Sequence, residues 1–594
     1  MLTRRCRVTG FWLLAALAAG ARAQESKLPS WAHEIAPIIY QQCAPCHRPG
    51  QAGPFSLLTY ADVKKHARQI AEVTRRRYMP PWPPEEGYGD FEDERRLTDE
   101  QIRQIGDWVR AGAPEGPAFE APPAPQFPSD WQLGKPDLVL KAARPFLLPA
   151  AGEDVFWNFL FAPDLKTTRY VRAIEIRPGA DRLVHHANVL IDRTGSTRRL
   201  ETTPGAGFAG MELTVERNPL DPESHFLFWK PGSVPYSEPD GFSWRLDPGN
   251  LLVLNAHLQP SGKAEQVAPS IGLYFTDKAP TQFPLLLELE HDGALDIPAG
   301  ARDFVVSDDF EMPVDADVPA IYPHAHYLGK VLEAYATLPD GRRKWLIRIP
   351  DWDLNWQAVY RYREPVFLPK GTVVSMRYHY DNSAENARNP HRPPQRVEAG
   401  NRAVDEMGHL WLEVLPRGRG DHRRPLQEAM MRHRLEKYPN DFSAHLNLGA
   451  LLLSRLDAQG AVSMLEAAVK IDPGRPEAHD MLGSAWEALG RRAEAIEEFR
   501  LALRARPDYL DARYNLALAL AKFGKFEEAV ENFRPVAAAY PASARLQEEL
   551  GELLARDGKF SEAVAQFDKA LAVDPGDQTA KKNREWARQQ IAGR

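Results

Sequence analysis

The stretch 251-LLVLNAHLQP-260 is a run of mostly apolar residues that carries one histidine, His257. Comparable short runs, rich in β-branched and aromatic residues, occur at 303-DFVVS-307 and 371-GTVVSMRYHY-380, bounded by Gly, Pro and Asp. Runs of this kind between turn residues predict β-strands. Because they recur over residues 135–415, they predict an all-β region folded as a β-sandwich or a pair of β-sandwiches.

The same region contains further histidines in short patches, 183-LVHHANVLID-192 and 322-YPHAHYLGK-330. Neighbouring strand residues face opposite sides of a sheet, so His185 and His186 share one metal ion only at a bend or strand edge. His324 and His326 are two residues apart and point to the same face. Copper accepts imidazole ligands, and a thioether such as that of Met407 favours copper(I). The patches predict copper sites, with His257 as a third ligand beside the first pair.

In this order, and with the patches H-x-H-x-L-G-K and D-E-M, residues 135–415 resemble the copper type II, ascorbate-dependent monooxygenases. This group includes the peptide-amidating hydroxylases and the dopamine-type β-hydroxylases. The resemblance implies two β-sandwich subdomains, 135–278 and 279–415, and two copper ions. It further implies that one copper, which transfers electrons, binds His185, His186 and His257. The other copper, which activates O2 and is the catalytic one, would bind His324, His326 and Met407.

The sequence departs from the family pattern at two points, and these departures predict a different substrate for the same copper chemistry. The animal members depend on disulfides, whereas residues 135–415 contain no cysteine. In the amidating enzymes an arginine before the H-x-H pair and a tyrosine after the methionine bind the substrate carboxylate. Tyr322 and Trp411 stand at those places here. Neither side chain replaces a bidentate arginine, so we expect a different substrate, a small molecule or a peptide of unknown identity.

Upstream, the motif 43-CAPCH-47 has the C-x-x-C-H spacing that attaches a c-type haem. Cys43 and Cys46 would form thioethers to the porphyrin, and His47 would be an axial iron ligand. A redox dithiol needs no adjacent histidine, and a zinc site needs a second ligand pair nearby. Residues 30–116 resemble a small all-α cytochrome c domain, with covalent haem c as cofactor and helices over about 31–42 and 98–109.

The sixth ligand of the haem iron is expected between those two helices. Met79, in 78-YMPPWPP-84, is the only methionine of residues 30–116. A thioether ligand raises the haem potential and suits electron transfer. His66 is the alternative ligand, although its lysine- and arginine-rich helix favours a solvated side chain. Trp82 is expected to pack either on the haem edge or in an ordinary core.

The C-terminal part of the chain is a repeat, because small residues recur every 34 residues at Gly449, Gly483, Ala517 and Gly551. Alanines, prolines and a bulky apolar residue keep the same step. The pattern resembles four tetratricopeptide repeats, an α-solenoid over residues 441–594 that ends in a capping helix near 579–591. Such arrays usually bind a partner in their concave groove, and a spacer or a dimerisation element is the alternative role. A Pro-rich linker, 117–134, precedes the β region, and a linker and helix, 416–440, follow it.

The N-terminal residues predict a secretory signal peptide over residues 1–23. Three arginines precede a short apolar core, and 21-ARA-23 fits the rule for signal cleavage. An uncleaved membrane anchor is the alternative, although the apolar run is well short of the roughly 20 residues that span a bilayer. No later segment is long and apolar enough to predict a stable membrane span. We therefore expect an exported protein, in the bacterial periplasm or outside the cell. The formal net charge of -7 does not suggest a nucleic-acid partner.

Taken together, these features predict a multidomain oxidoreductase. The first hypothesis is a monooxygenase that hydroxylates a C–H bond with O2 and receives electrons through the haem, from ascorbate or another one-electron donor. The second is a non-enzymatic redox or copper-binding module that docks a partner on its repeats. The third is an exported assembly scaffold in which the repeats are the main functional part. His225, His379 and His409 are expected to be ordinary structural histidines.

Overall fold

The computed structural model describes residues 28–51, 53–128, 130–180, 182–210 and 225–593. The predicted signal peptide lies outside these described residues. The chain divides into two compact units. The first unit comprises the residues up to Pro81 together with Arg95–Gln126, and the second comprises Trp82–Glu94 and Phe127–Arg594.

The first unit is helical, and its core is small. Its helices are α1 (Ala36–Gln42), α2 (Tyr60–Arg75) and α3 (Asp99–Arg110), with a π-helical turn before α1. Helix α3 begins at a capping box, in which Thr98 and Gln101 each bind the other's backbone N–H. Ile35, Ile39 and Trp108 are fully buried in the core. The packing of these apolar faces stabilises helices that are too short to be stable alone.

The β-rich part of the second unit begins with a sandwich. Its four-stranded sheet has the order β1-β11-β4-β8, its five-stranded sheet has the order β6-β3-β9-β5-β7, and β10 pairs with β2. Side chains of both larger sheets form one core. The strands are β1 (Leu138–Lys141), β2 (Phe146–Leu148), β3 (Val155–Phe161), β4 (Arg169–Arg177), β5 (Val184–Asp192), β6 (Phe208–Ala209), β7 (Phe228–Trp229), β8 (Trp244–Leu246), β9 (Leu251–Leu258), β10 (Glu265–Val267) and β11 (Ser270–Thr276).

A second sandwich follows, with sheets of order β12-β21-β15-β18 and β14-β19-β16-β17 and a short pair β13-β20. All paired strands in it are antiparallel. The strands are β12 (Leu285–Glu290), β13 (Asp296–Ile297), β14 (Phe304–Glu311), β15 (Ala316–Ala325), β16 (Gly329–Thr337), β17 (Arg343–Ile349), β18 (Tyr360–Leu368), β19 (Val373–Tyr380), β20 (Val397–Glu398) and β21 (Gly408–Pro416).

The segment Trp82–Glu94 lies in the β-rich unit, although the sequence-based boundaries place it in the N-terminal helical unit. Phe91 forms a bridge to Tyr362, and the Glu92 N–H donates to Arg361. Trp82 packs against the core of the second sandwich. The apolar side chains of this loop find a larger buried surface there, and Trp82 is therefore a core residue of the β region.

The C-terminal residues form paired antiparallel helices. The helices are α4 (Arg424–Lys437), α5 (Phe442–Ser454), α6 (Ala458–Ile471), α7 (Pro476–Ala488), α8 (Arg492–Ala505), α9 (Leu510–Lys522), α10 (Phe526–Ala539), α11 (Ala544–Arg556), α12 (Phe560–Val573) and α13 (Gln578–Ala592). The recurring small residues lie where two helices of a pair meet: a Cβ on Gly483 would be 2.7 Å from the ring of Phe499. Within the described part of the chain, none of the helices has the length and apolarity to cross a membrane.

Helix α4 connects the helical array to the second sandwich through a buried ionic network. The Lys437 ammonium donates to Asp308 at 2.7 Å, and His433 bonds to the same carboxylate at 2.8 Å. Tyr438 donates to Glu290 at 2.7 Å. His433, Lys437 and Tyr438 lower the pKa values of Asp308 and Glu290, although burial opposes the shifts. Because ion pairs in low dielectric depend strongly on geometry, the network orients α4 against the sheet.

Replacing Gly483 with valine should destabilise the helical array by about 1–3 kcal/mol, because the added side chain overlaps the ring of Phe499. Thermal unfolding of the purified protein followed by circular dichroism measures the effect. Ser484→Val is the matched control, since Ser484 is only half-buried on the same helix. Equal unfolding curves for the two variants would contradict the packing described here.

Candidate metal centre

The first group of histidines lies where strands β5 and β9 pair. Ligand nitrogens of His185, His186 and His257 all lie within 4.8 Å of one another. The register shifts between Val184 and His186, so a bulge occurs at His185. A bulge turns a side chain out of the regular alternation of a strand. The bulge therefore lets the consecutive residues His185 and His186 approach one another's side of the sheet. The sequence predicts that a shared metal ion needs such a bend.

The Nε2 nitrogen of His257 is hydrogen-bonded, so its Nδ1 nitrogen is the one left for a metal ligand. Asp154 bonds to His257 Nε2 at 2.7 Å, and this hydrogen bond lowers the pKa of Asp154. An N–H donated to a carboxylate determines the tautomer of an imidazole and leaves its other nitrogen as an acceptor. In the described residues the buried Nδ1 atoms of His185, His186 and His257 have no hydrogen-bond partner. Unpartnered buried nitrogens that converge indicate a site for a cation.

The second group of histidines lies at the end of β15. The ring centroids of His324 and His326 are 5.2 Å apart. His324 Nδ1 bonds to the side-chain oxygen of Gln357 at 2.8 Å, and His326 Nδ1 bonds to the carbonyl of Asp405 at 3.1 Å. Both rings therefore retain Nε2 for a ligand. Met407 is buried, and the register that pairs Gly408 with Ala325 places it across from His326.

Glu406 joins the two segments that carry these residues. Its carboxylate is fully buried and accepts the backbone N–H groups of His326, Leu328 and Met407. Leu328 N is 2.8 Å and Met407 N is 2.9 Å from the carboxylate. Burial raises the pKa of Glu406 to about 8, while the backbone N–H groups oppose the rise. The strand end after His324 and the loop before β21 are thus bound to one side chain.

Burial favours the neutral form of His185, His186, His324 and His326. It lowers the pKa of His185 and of His326 to about 4, and it lowers the pKa values of His186 and His324 well below the usual value. Neighbouring histidines lower each of these pKa values further, and some of the contributions come from histidines of the other group. Metal ions bind the neutral form of histidine, so the sites are in the binding-competent state near pH 7.

Aromatic side chains lie between the two histidine groups. Phe228 of the first sandwich lies 5.9 Å from His186 and 5.3 Å from Tyr322 of the second sandwich, measured between ring centroids. Tyr322 stacks on Trp411 at 5.4 Å, and its hydroxyl donates to Gln357 at 2.7 Å. Tyr322 and Trp411 are therefore part of an aromatic contact between the two sandwiches.

In the first unit, the C-x-x-C-H motif forms one turn. The N–H groups of Cys46 and His47 both donate to the carbonyl of Cys43, at 3.2 and 2.9 Å. His47 Nδ1 bonds to the carbonyl of Phe55 at 3.2 Å, so its Nε2 is the nitrogen left for a ligand. A Cβ on Gly53 would be 2.8 Å from His47, so the turn needs a glycine there.

The two candidates for the sixth haem ligand have different surroundings. Met79 is half-buried after the end of α2, and its N–H donates to Val73. His66 was expected to be solvated, but its ring stacks on Phe55 at 3.8 Å with an interplanar angle of 3°. The stacking places His66 close enough to His47 to lower the pKa of His47, for which burial is the larger cause. Met79 stays the prediction for the sixth ligand.

Comparison with known proteins identifies the helical array. A family model described as a tetratricopeptide repeat matches residues 446–509 and 514–578. Residues 446–578 are tetratricopeptide repeats. This confirms the repeat assignment made from the 34-residue period of the sequence. Tetratricopeptide arrays usually present a concave surface to a protein partner, so this part of the chain is an interaction module.

Several solved structures are similar to the tetratricopeptide part of the chain. MamA is 26% identical over 25% of this chain and 87% of its own, with a TM-score of 0.24. A MamA from Desulfovibrio magneticus RS-1 is 23% identical over 26% of this chain and 92% of its own, with a TM-score of 0.23. YrrB, a TPR protein with an unusual peptide-binding site, is 21% identical over 27% of this chain and 84% of its own, with a TM-score of 0.25. The comparison with curated proteins finds no match.

Sequence reasoning did not identify the residues that orient the histidines. Asp154 and Gln357 lie 103 and 33 residues from the histidines they bind, and neither belongs to a recognisable motif. Glu406 lies inside the quoted D-E-M patch, so its position next to Met407 was the one available signal. A buried acidic residue beside a ligand is a frequent organiser of a metal site.

Replacing Glu406 with alanine should lower the free energy of unfolding of the β region by at least about 3 kcal/mol, because several buried N–H groups lose their acceptor. Scanning calorimetry measures the change as a lower transition temperature. Glu398→Ala is the control, since the Glu398 side chain is exposed and pairs with Arg396 at the surface. A Glu406 variant as stable as the control would show that the clamp does not stabilise the site.

Proposed function

We propose that this chain is an exported, copper- and haem-dependent oxidoreductase of the monooxygenase type. The observation that carries the proposal is the convergence of His185, His186 and His257 with their Nδ1 atoms buried and unpartnered. A buried polar atom without a partner is costly unless a ligand satisfies it. Ligand nitrogens of the three histidines lie within 4.8 Å of one another, which favours a bound transition metal over a structural cluster.

The donor set at both groups suits copper. Neutral imidazole is a good ligand for copper in both oxidation states, and the thioether of Met407 favours copper(I) at the second group. Each oriented histidine has an outer partner, Asp154 for His257 and Gln357 for His324. Such outer hydrogen bonds determine the tautomer and raise the basicity of the ligand.

Copper, when bound, supplies O2 binding and one-electron redox chemistry, and the haem supplies electron transfer. Hydroxylation of a C–H bond places one atom of O2 in the product and reduces the other to water. The reaction consumes two electrons and two protons, and the electrons come from an external one-electron donor such as ascorbate. In this proposal they enter through the haem attached to Cys43 and Cys46.

The protein residues contribute orientation and a dry environment. Burial of His324 and His326 excludes bulk water from the second group, and the Glu406 clamp keeps the Met407 loop next to them. The stacked Tyr322 and Trp411 present aromatic surface near this group where a carboxylate clamp is absent. We therefore propose a substrate that is not recognised through a carboxylate, namely an apolar or aromatic small molecule or peptide side chain.

A second function rests on the tetratricopeptide array. If the histidine groups only store copper, or if they only pass electrons, the chain is a non-enzymatic redox or copper-binding module that docks a partner. A cavity of about 580 Å³ between helices α6, α7 and α8 supports docking, since Trp486 lines it together with Glu466, Glu494 and Glu497. Lys470 also lines this cavity, and Arg491 lies over the Trp486 ring and pairs with Glu494, so the lining carries both charges. O2-dependent product formation distinguishes the two functions.

The first test follows the haem during reoxidation. Purified, haem-loaded protein is reduced without oxygen, with and without copper, and the haem absorbance is followed after air is admitted. We expect reoxidation to be several-fold faster with copper, because electrons then leave the haem for the copper sites. Equal rates in both samples would sink the proposal that the haem feeds the copper pair.

His257→Ala and His326→Ala separate the two groups in the same assay. Each variant should lose one copper by elemental analysis and should also lose the copper-dependent acceleration. His379→Ala is the control, because His379 lies in the same sandwich as His326 and pairs with Asp303 at the surface. Full copper content and full acceleration in both variants would show that these histidines are not ligands.

Asp154→Asn tests the partner of His257. The amide is a weaker acceptor for the His257 N–H, so copper affinity should fall by about ten- to hundredfold. Competition with a chromophoric copper(I) chelator measures the affinity. Asp303→Asn, which alters the equivalent contact to His379, should leave the affinity unchanged.

A further inference from the structure

A second cluster of buried ligand groups lies where the two sandwiches meet. Ligand atoms of His225, Glu238 and Glu413 all lie within 4.8 Å of one another. His225 precedes β7 and Glu238 bonds to β4 through its backbone, so both belong to the first sandwich. Glu413 lies in β21 of the second sandwich. Their side chains are 8%, 8% and 2% exposed.

The cluster is separate from the histidines described above. Strand register pairs Glu413 with Ala320, whereas His409 pairs with His324. At the rise of a β-strand, the four residues from His409 to Glu413 span about 13 Å. Trp411 and Tyr322 lie between the two places and stack on each other. A cation bound by Glu413 would therefore occupy a third position.

The spacing of the ligand atoms suits a metal ion better than a hydrogen bond. His225 Nδ1 and Glu238 Oε1 are 3.4 Å apart. This separation exceeds the usual N–H···O range of about 2.7–3.2 Å. Two ligands at about 2.1 Å from a tetrahedral zinc ion are about 3.4 Å apart. The distance between His225 Nδ1 and Glu238 Oε1 therefore matches the distance between two neighbouring ligand atoms of one ion.

Arg361 is the cation beside Glu413, with Nη1 at 3.4 Å from Oε2, and its guanidinium lies over the ring of Tyr236. Among the described residues, the other carboxylate oxygen of Glu413, Oε1, has no hydrogen-bond partner. Burial raises the pKa of Glu413, and the charge of Glu238 raises it further. A divalent cation would compensate the two buried carboxylates of the cluster in place of protons.

We propose that His225, Glu238 and Glu413 bind one divalent transition-metal ion, zinc by preference, which links the two sandwiches. One imidazole nitrogen and two carboxylate oxygens are a ligand set that zinc accepts, and water completes a tetrahedron. The β region has no cysteine and so no disulfide. A metal that binds residues of both sandwiches acts as the missing cross-link, since its binding energy adds to the stability of the folded state.

Elemental analysis of the full chain tests this site. The haem- and copper-loaded protein is equilibrated with excess zinc chloride, passed over a desalting column and analysed for zinc, copper and iron. We expect about one zinc per chain in the natural sequence and almost none in Glu413→Gln, with copper and iron unchanged. Glu175→Gln is the matched control, because Glu175 is equally buried but its carboxylate accepts backbone N–H groups of Gln132 and Leu133.

Two outcomes overturn the proposal. One is a natural sequence that retains no divalent metal beyond the copper of the histidine sites. The other is a Glu413→Gln protein that retains as much zinc as the control. A third copper that disappears in Glu413→Gln supports the site and changes the preferred metal. Because the readout is the metal at this cluster, failure here leaves the copper content of the histidine sites and the proposed function unaffected.

A second readout covers a variant that does not fold. Cobalt(II) replaces zinc in such sites and gives visible absorption bands when it is bound by one nitrogen and several oxygens. Addition of cobalt chloride to the natural protein should produce these bands and raise the transition temperature. His225→Gln and Glu238→Gln should each abolish both effects. Bands that persist in both variants would place the cobalt elsewhere and refute the site.

Discussion

The buried carboxylate of Glu406 is the interaction on which the second histidine group depends. It binds backbone N–H groups on both sides of the space between β15 and β21, and so brings His326 and Met407 to the same place. Neither segment has regular strand pairing at that point, because β15 ends at Ala325 and β21 begins at Gly408. The Glu406 carboxylate accepts several N–H groups and so takes the place of the backbone hydrogen bonds between paired strands. Side chains that bind a metal can then lie at a strand end without leaving the backbone unsatisfied.

The contact between the sandwiches is the second constraint. Phe228 reaches from the first sandwich to Tyr322 of the second, and His324 and His326 of the second group contribute to the lowered pKa of His186. The two groups therefore belong to one region of the fold, with an aromatic wall between them. Within the same contact, His225, Glu238 and Glu413 form the cluster for which we propose a cation. The interface thus combines apolar packing with charged groups that need a specific partner.

The helical array is attached to this β region by ionic contacts. Lys437 and His433 of α4 bind Asp308 of β14, and Tyr438 binds Glu290 of β12. These side chains are mostly buried, so the orientation of α4 is determined by hydrogen-bond geometry. A partner bound to the tetratricopeptide repeats would therefore be held at a defined place relative to the histidine sites. The short, apolar core of each repeat continues directly from this first helix.

Local sequence patterns determined the elements and the ligand types. Strand texture predicted the β-rich region, the 34-residue period predicted the repeats, and spacing of two residues predicted that His324 and His326 share a face. Such signals arise between residues that are close along the chain. The haem unit and the copper assignment, which rest on resemblance, stay predictions.

The tertiary structure decided which groups orient and complete the sites. Asp154 reaches His257 across 103 residues, and Glu406 reaches His326 across 80 residues. The bulge at His185 and the meeting of His225, Glu238 and Glu413 also arise only from strand register and sandwich packing. Contacts between distant residues leave no periodic trace in a single sequence, because their geometry follows from how whole sheets twist and pack. For that reason the sequence determined what the sites contain, and the fold decided how they are arranged.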